Sequence, residues 1–187
     1  MIQLLNSERH YGAIAIALHW LMALLLIGLV AMGLYMVWLP DTGYDAWKIV
    51  LILAHKQLGM LALVIAAPRL FWRLANALPR LVGALSDWQT VLARFIHLCV
   101  YGLMFALPVT GWLMSSAAGL PISVLGLFTL PDLVGRNDLL FQTLIQVHAA
   151  LAFGLIACLL GHMGAALRHH FLLRDATLKK MLPGSDG

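Results

Sequence analysis

Charge is what this sequence has least of. Of 187 residues, 11% are Asp, Glu, Lys or Arg, and the acids number eight. A soluble domain carries about 25% charged residues. So few ionic side chains cannot cover a chain that is 62% hydrophobic. Mean hydropathy is +0.91. With two cysteines a disulfide scaffold is excluded. Glycine shows no period, which excludes collagen, and the apolar content excludes disorder. One polar residue runs against the trend: the chain has eight histidines, as many as its acids.

A bilayer core of about 30 Å needs roughly 20 mostly apolar residues per helix. Four runs satisfy that, at about residues 13–39, 49–72, 91–115 and 140–167. None alternates as a membrane strand does, so the reading is an all-α integral membrane protein, a four-transmembrane-helix bundle spanning 1–187 as one domain. The first run is too long for a cleaved signal peptide and lacks a small-residue cleavage site. Arg9, Arg69, Arg73, Arg80, Arg94, Arg168, Arg174, Lys179 and Lys180 flank one side, against Lys48, Lys56 and Arg136 on the other. The positive-inside rule then predicts cytoplasmic N- and C-termini. The basic pI is thus a topology signal, and no nucleic-acid partner is expected. Residues 73–90 read as a polar cytoplasmic loop. The apolar, Gly- and Pro-broken stretch 115–139 reads as a cap in the outer interface. Pro68 and Pro108 fall late in their helices, where membrane proteins tolerate them.

An ionisable side chain inside a membrane helix marks function by default. His19, His55, His97, His148 and His162 all lie within the runs, while His10, His169 and His170 lie at or beyond their cytoplasmic ends. By depth, His19, His97 and His162 form an inner layer and His55 and His148 an outer one, each about 10 Å below its surface. His148 and His162 are fourteen residues apart, 40° short of whole turns at 100° per residue, so they share a face about 21 Å apart along the axis. Leu151, Leu155 and Leu159 occupy that face between them. The pattern suits two flat cofactors, each held by a histidine of the last helix and one from a neighbour. A b-type haem takes two imidazole nitrogens about 4 Å apart across iron. Zinc would need three or four converging ligands, and a proton relay would need a carboxylate, which no run contains. Spacing alone leaves open whether His162 pairs with His19 or with His97.

The stretches LHWL at 18–21, HKQLG at 55–59, PRLFWR at 68–73, ALPVTGWLMSSAAGLP at 106–121 and HHFLLRDATLKKMLP at 169–183, in this order on four spans, resemble the bacterial cytochrome b561 family. The resemblance covers about residues 9–183. The plan is also similar to the haem-b subunits of membrane formate dehydrogenases and nickel-iron hydrogenases. It implies two haem b groups, with iron held by His19 and His162 on the inner side and by His55 and His148 on the outer side. His97 becomes a non-ligand. It also implies a superoxide oxidase, a superoxide:ubiquinone oxidoreductase in the bacterial inner membrane, with ubiquinone as substrate. The alternative is a haem-b membrane anchor subunit relaying electrons between quinone and a separate dehydrogenase, hydrogenase or other redox protein. Partners on this reading are the lipid bilayer, quinone, and superoxide or a redox protein. Ala149 stands where the family often carries Glu, which removes an acidic group from beside the outer haem.

Candidate quinone or propionate contacts are Arg69, Trp72, Arg73, His97 and His169. Lys56 is a further candidate for a propionate or an anionic substrate, and Lys48 and Arg136 are outer cations able to draw an anion. Gly59, one turn after His55, leaves room for a porphyrin edge or for close helix packing. The remaining tryptophans read as interface anchors, and Cys99 and Cys158 as small apolar fillers.

Overall fold

A computed structural model describes residues 3–8, 10–40, 45–79, 87–124 and 126–182. Arg9 and Arg80, two of the flanking cations, fall outside the described residues. Four helices dominate: α1 (Ala13–Trp38), α2 (Ala46–Ala75), α3 (Asp87–Ala117) and α4 (Asp138–Arg168). All four are long and apolar enough to cross a membrane. A two-residue hairpin, β1 (Ser123–Val124) against β2 (Phe128–Thr129), lies between α3 and α4.

The last three helices outrun their apolar runs, and their caps show why. Asp45 Oδ1 accepts from the backbone N–H of Trp47 at 2.9 Å and of Lys48 at 3.2 Å, so α2 starts before its greasy segment. Asn137 Oδ1 does the same for Leu140 at 2.9 Å and opens α4. The expected loop 73–90 is therefore shorter, because α2 continues to Ala75 and α3 begins at Asp87. Both helices run through Pro68 and Pro108. Outward faces are Leu- and Phe-rich: Leu24 is 68% exposed, Leu98 71% and Phe153 64%. A water-soluble bundle hides such residues, whereas lipid accepts them at no cost.

The chain divides into two compact units, and each takes a part of all four helices. The first comprises residues 1–23, 65–102 and 155–187. Met22, Ala66 and Leu155 are its buried apolar residues. Its leading segment folds onto the start of α1, with Gly12 N–H donating to Asn6 Oδ1 at 2.9 Å and Ala13 N–H to Gln3 O at 2.9 Å. A Cβ at Gly12 would stand 2.2 Å from the Leu4 carbonyl oxygen, so only glycine fits. Gly12→Ala is expected to cost about 1–3 kcal/mol, the usual penalty for overpacking, read as a fall in thermal unfolding temperature. α4 runs on into a π-helical turn, His169–Leu173, closed by Arg174 in the left-handed conformation at φ 52°. Beyond it, Met181 O accepts from Trp20 Nε1 at 2.6 Å, so Trp20 anchors the trailing segment to α1. Cys99 on α3 and Cys158 on α4 are both free thiols, half-buried.

The second unit comprises residues 24–64 and 103–154. Leu26, Leu51, Met60, Met104 and Leu144 are buried within it. The expected cap at 115–139 is a built structure. α3 ends in a Schellman motif, with Gly119 N–H to Ser116 O at 2.9 Å and Leu120 N–H to Ser115 O at 3.0 Å, and Gly119 at φ 69°. Buried Ser116 then accepts from Leu133 N–H at 3.1 Å, and Trp112 Nε1 donates to Pro131 O at 3.1 Å. The hairpin turn uses Gly126 at φ 71°.

Candidate functional site

In the second unit, His55 of α2 and His148 of α4 face one another with ring centres 6.4 Å apart and planes at 76°. Glycines let both rings seat deeply. A Cβ at Gly33 of α1 would lie 3.6 Å from His55 Cε1, and one at Gly111 of α3 would lie 3.6 Å from His148 Cε1. Gly59 has open space around it, with nothing within 4 Å of a Cβ, so close helix packing is not its role. Thr110 Oγ1 lies 3.0 Å from His148 Nδ1. His55 Nδ1 is buried with no hydrogen-bond partner.

The first unit holds three histidines. His19 of α1 and His162 of α4 have ring centres 6.1 Å apart at 53°. His97 of α3 is nearer to His162, at 5.3 Å and 71°. Two imidazole nitrogens on one metal are about 4 Å apart, and each ring centre lies about 1 Å behind its nitrogen, which sets the centres about 6 Å apart. The pairs at 6.1 and 6.4 Å fit an iron between them. The His97–His162 pair, at 5.3 Å, is an edge-to-face ring contact with less room. Among the described residues no three His, Cys, Asp or Glu side chains group to hold a bare metal ion.

Beside His19 lies a small cavity of about 40 Å³ whose lining includes Tyr11, Arg69, Trp72, Arg73, Tyr101 and Met181. α2 supplies Arg69 and Arg73 one turn apart, and both guanidinium groups sit over the Tyr101 ring, at 5.7 and 5.4 Å. Arg69 Nη2 also lies 3.1 Å from His19 Nδ1. Arg69 Nε and Trp72 Nε1 are buried donors without acceptors. Unsatisfied buried donors cost about 1–3 kcal/mol each, so an acceptor-bearing ligand is favoured there. Burial pushes the Tyr11 hydroxyl above its ordinary pKa, so it stays a neutral hydrogen-bonding group. Of the five expected contacts, Arg69, Trp72 and Arg73 come together in this cavity, whereas His97 and His169 are not in its lining. Tyr101 was legible in principle, since it stands one turn after His97 on the same face. Tyr11 and Met181 come from segments outside the spans and left no such mark.

His169 is engaged elsewhere. Its Nδ1 lies 2.5 Å from Asp175 Oδ2, and Thr177 N–H donates to Asp175 Oδ1 at 2.8 Å. Burial alone would raise the Asp175 pKa, but the hydrogen bonds from His169 and Thr177 hold it below its usual 3.8. A depressed carboxyl pKa stabilises the fold above the unfolded value, and that stability is lost as pH falls through the folded one. The protection of amides 169–177 from hydrogen exchange, taken relative to the intrinsic exchange rate at each pH, is therefore expected to fall below about pH 4.

Residues 10–184 match the family described as prokaryotic cytochrome b561. The chain is 36% identical over 177 residues to cytochrome b561 homolog 2 of Escherichia coli (strain K12), covering 95% of this chain and 93% of that one. It is 29% identical over 180 residues to the probable superoxide oxidase CybB of Yersinia pestis, covering 96% and 99%. A third relative, cytochrome b561 homolog 1 of Escherichia coli (strain K12), is 29% identical over 131 residues, covering 69% and 73%. The chain thus belongs to the prokaryotic cytochrome b561 family, multi-pass membrane proteins that bind haem b and carry electrons across the bilayer.

Proposed function

We propose that this chain takes electrons from superoxide and passes them to ubiquinone through two haem b groups, one between His55 and His148 and one between His19 and His162. The observation that carries the reading is the ring spacing, 6.4 and 6.1 Å, which leaves room for one iron in each pair. Haem held by these histidines would supply a one-electron carrier, and two histidines on each iron would leave no place for oxygen to bind. On the cytoplasmic side, the cavity of Arg69, Trp72 and Arg73 serves the quinone. Two buried donors lack acceptors there, and a quinone brings two carbonyl oxygens. At about 40 Å³ the cavity is smaller than a quinone ring, so side chains must shift for it to enter. Arg69 is the one to move, because iron on His19 Nε2 needs the ring proton on Nδ1, where Arg69 now points. In the second unit, half-buried Lys56 follows His55 directly and draws the superoxide anion. Arg136 draws less, since Asp138 lies 3.6 Å from it.

The deciding measurement is stopped-flow mixing of the purified protein with superoxide. Haem reduction faster than dismutation, followed by reoxidation on adding ubiquinone, is the expected result. Activity only in the presence of a separate dehydrogenase or hydrogenase would instead make the chain a membrane anchor.

A further inference from the structure

The two histidine pairs differ in what touches Nδ1, the nitrogen turned away from a metal held on Nε2. In the second unit Thr110 Oγ1 donates its single proton to Leu107 O at 2.9 Å. Towards His148 Nδ1, 3.0 Å away, the hydroxyl therefore acts as acceptor. With that acceptor facing it, Nδ1 carries the ring proton and the Nε2 lone pair is bare. In the first unit the equivalent nitrogen of His19 faces the guanidinium of Arg69 at 3.1 Å, and Arg73 lies over the same Tyr101 ring as Arg69.

We propose that Thr110 is a positioning residue for His148: it fixes the ring tautomer and makes the imidazole a stronger electron donor to iron, so that the His55–His148 iron is the more reducing of the two. An acceptor on the distal N–H raises the basicity of the ligand and favours the ferric state. The positive charges of Arg69 and Arg73 stay in the first unit even when Arg69 turns off Nδ1, and they favour the ferrous state at the other iron. A single electron shared by the two irons then resides mainly at His19–His162, which favours electron flow from superoxide towards quinone. This rests on the ligand assignment proposed above.

Redox titration of the haem absorbance tests it in Thr110→Val and Thr110→Ser proteins. Val has nearly the shape of Thr without the hydroxyl. In Thr110→Val, one of the two titrating components is expected to become easier to reduce, its reduction equilibrium shifting roughly tenfold, while the other stays in place. Thr110→Ser is expected to titrate as the native protein. Loss of haem from the Val variant alone, with full retention in the Ser variant, also supports the role. Two components unmoved in Thr110→Val at full haem content overturn it, as does an equal shift of both. A native protein with fewer than two haems would sink the ligand assignment instead, whatever Thr110 does.

Discussion

Purified His148→Ala protein is expected to hold about half the haem of the native chain and to show one redox component. The rings of His55 and His148 stand 6.4 Å apart, and on the proposed assignment Ala at 148 would leave His55 alone to hold that iron. A haem held by His55 alone depends on a buried ring whose Nδ1 has no partner to steady it. The His19–His162 pair lies in the other unit and keeps its residues. Superoxide-driven reduction should then fall by at least tenfold, because the entry haem is gone. His97→Ala is the control. Its ring lies only 5.3 Å from His162, as an edge contact, and its removal should leave both haems in place. Retention of two haems in His148→Ala, or loss of one in His97→Ala, would reverse the ligand assignment.

The second large effect concerns Arg69. Arg69→Gln removes a half-buried cation whose buried Nε lacks an acceptor and whose Nη2 meets His19. Hydrogen bonds to charged groups are worth about 1.5–3 kcal/mol, or roughly 10–100-fold in a rate that depends on them. Quinone reduction should fall by that factor while superoxide still reduces the haems. Rapid mixing separates the two halves, since the haems of the variant should go reduced and stay reduced. Unchanged reoxidation by ubiquinone would remove Arg69 from the quinone site. Arg73→Gln is expected to show a smaller loss, because Arg73 lies over the Tyr101 ring whereas Arg69 meets His19.

Much of this was visible in the order of residues. Four runs long enough for a bilayer became four helices, because in lipid the backbone has few other ways to satisfy itself. The helix ends were misplaced by a few residues, since Asp45 and Asn137 start helices through side-chain capping that hydropathy does not register. The histidines stood out as the few ionisable groups in apolar runs, and their depths already suggested two layers. Pairing within the inner layer was not legible from spacing, and only the family resemblance pointed to His19. His19 and His97 are equally deep, and only ring distances separate a 6.1 Å gap from a 5.3 Å contact. Thr110 was equally hidden: a threonine in an apolar helix reads as a small filler until the partner of its hydroxyl is known. His169 looked like a candidate for the quinone, yet Asp175, six residues on, takes its Nδ1. That contact follows from the π-helical turn and from Arg174 at φ 52°, neither of which the sequence announces.

The bond from Trp20 to Met181 joins residues 161 positions apart, and it bears on biosynthesis. Met181 lines the cavity beside His19, so that wall is missing until almost the whole described chain has left the ribosome. The second unit is drawn entirely from residues 24–154, with both of its histidines inside that range. During translation His55 and His148 therefore both emerge before His162, and before the Met181 wall of the cavity.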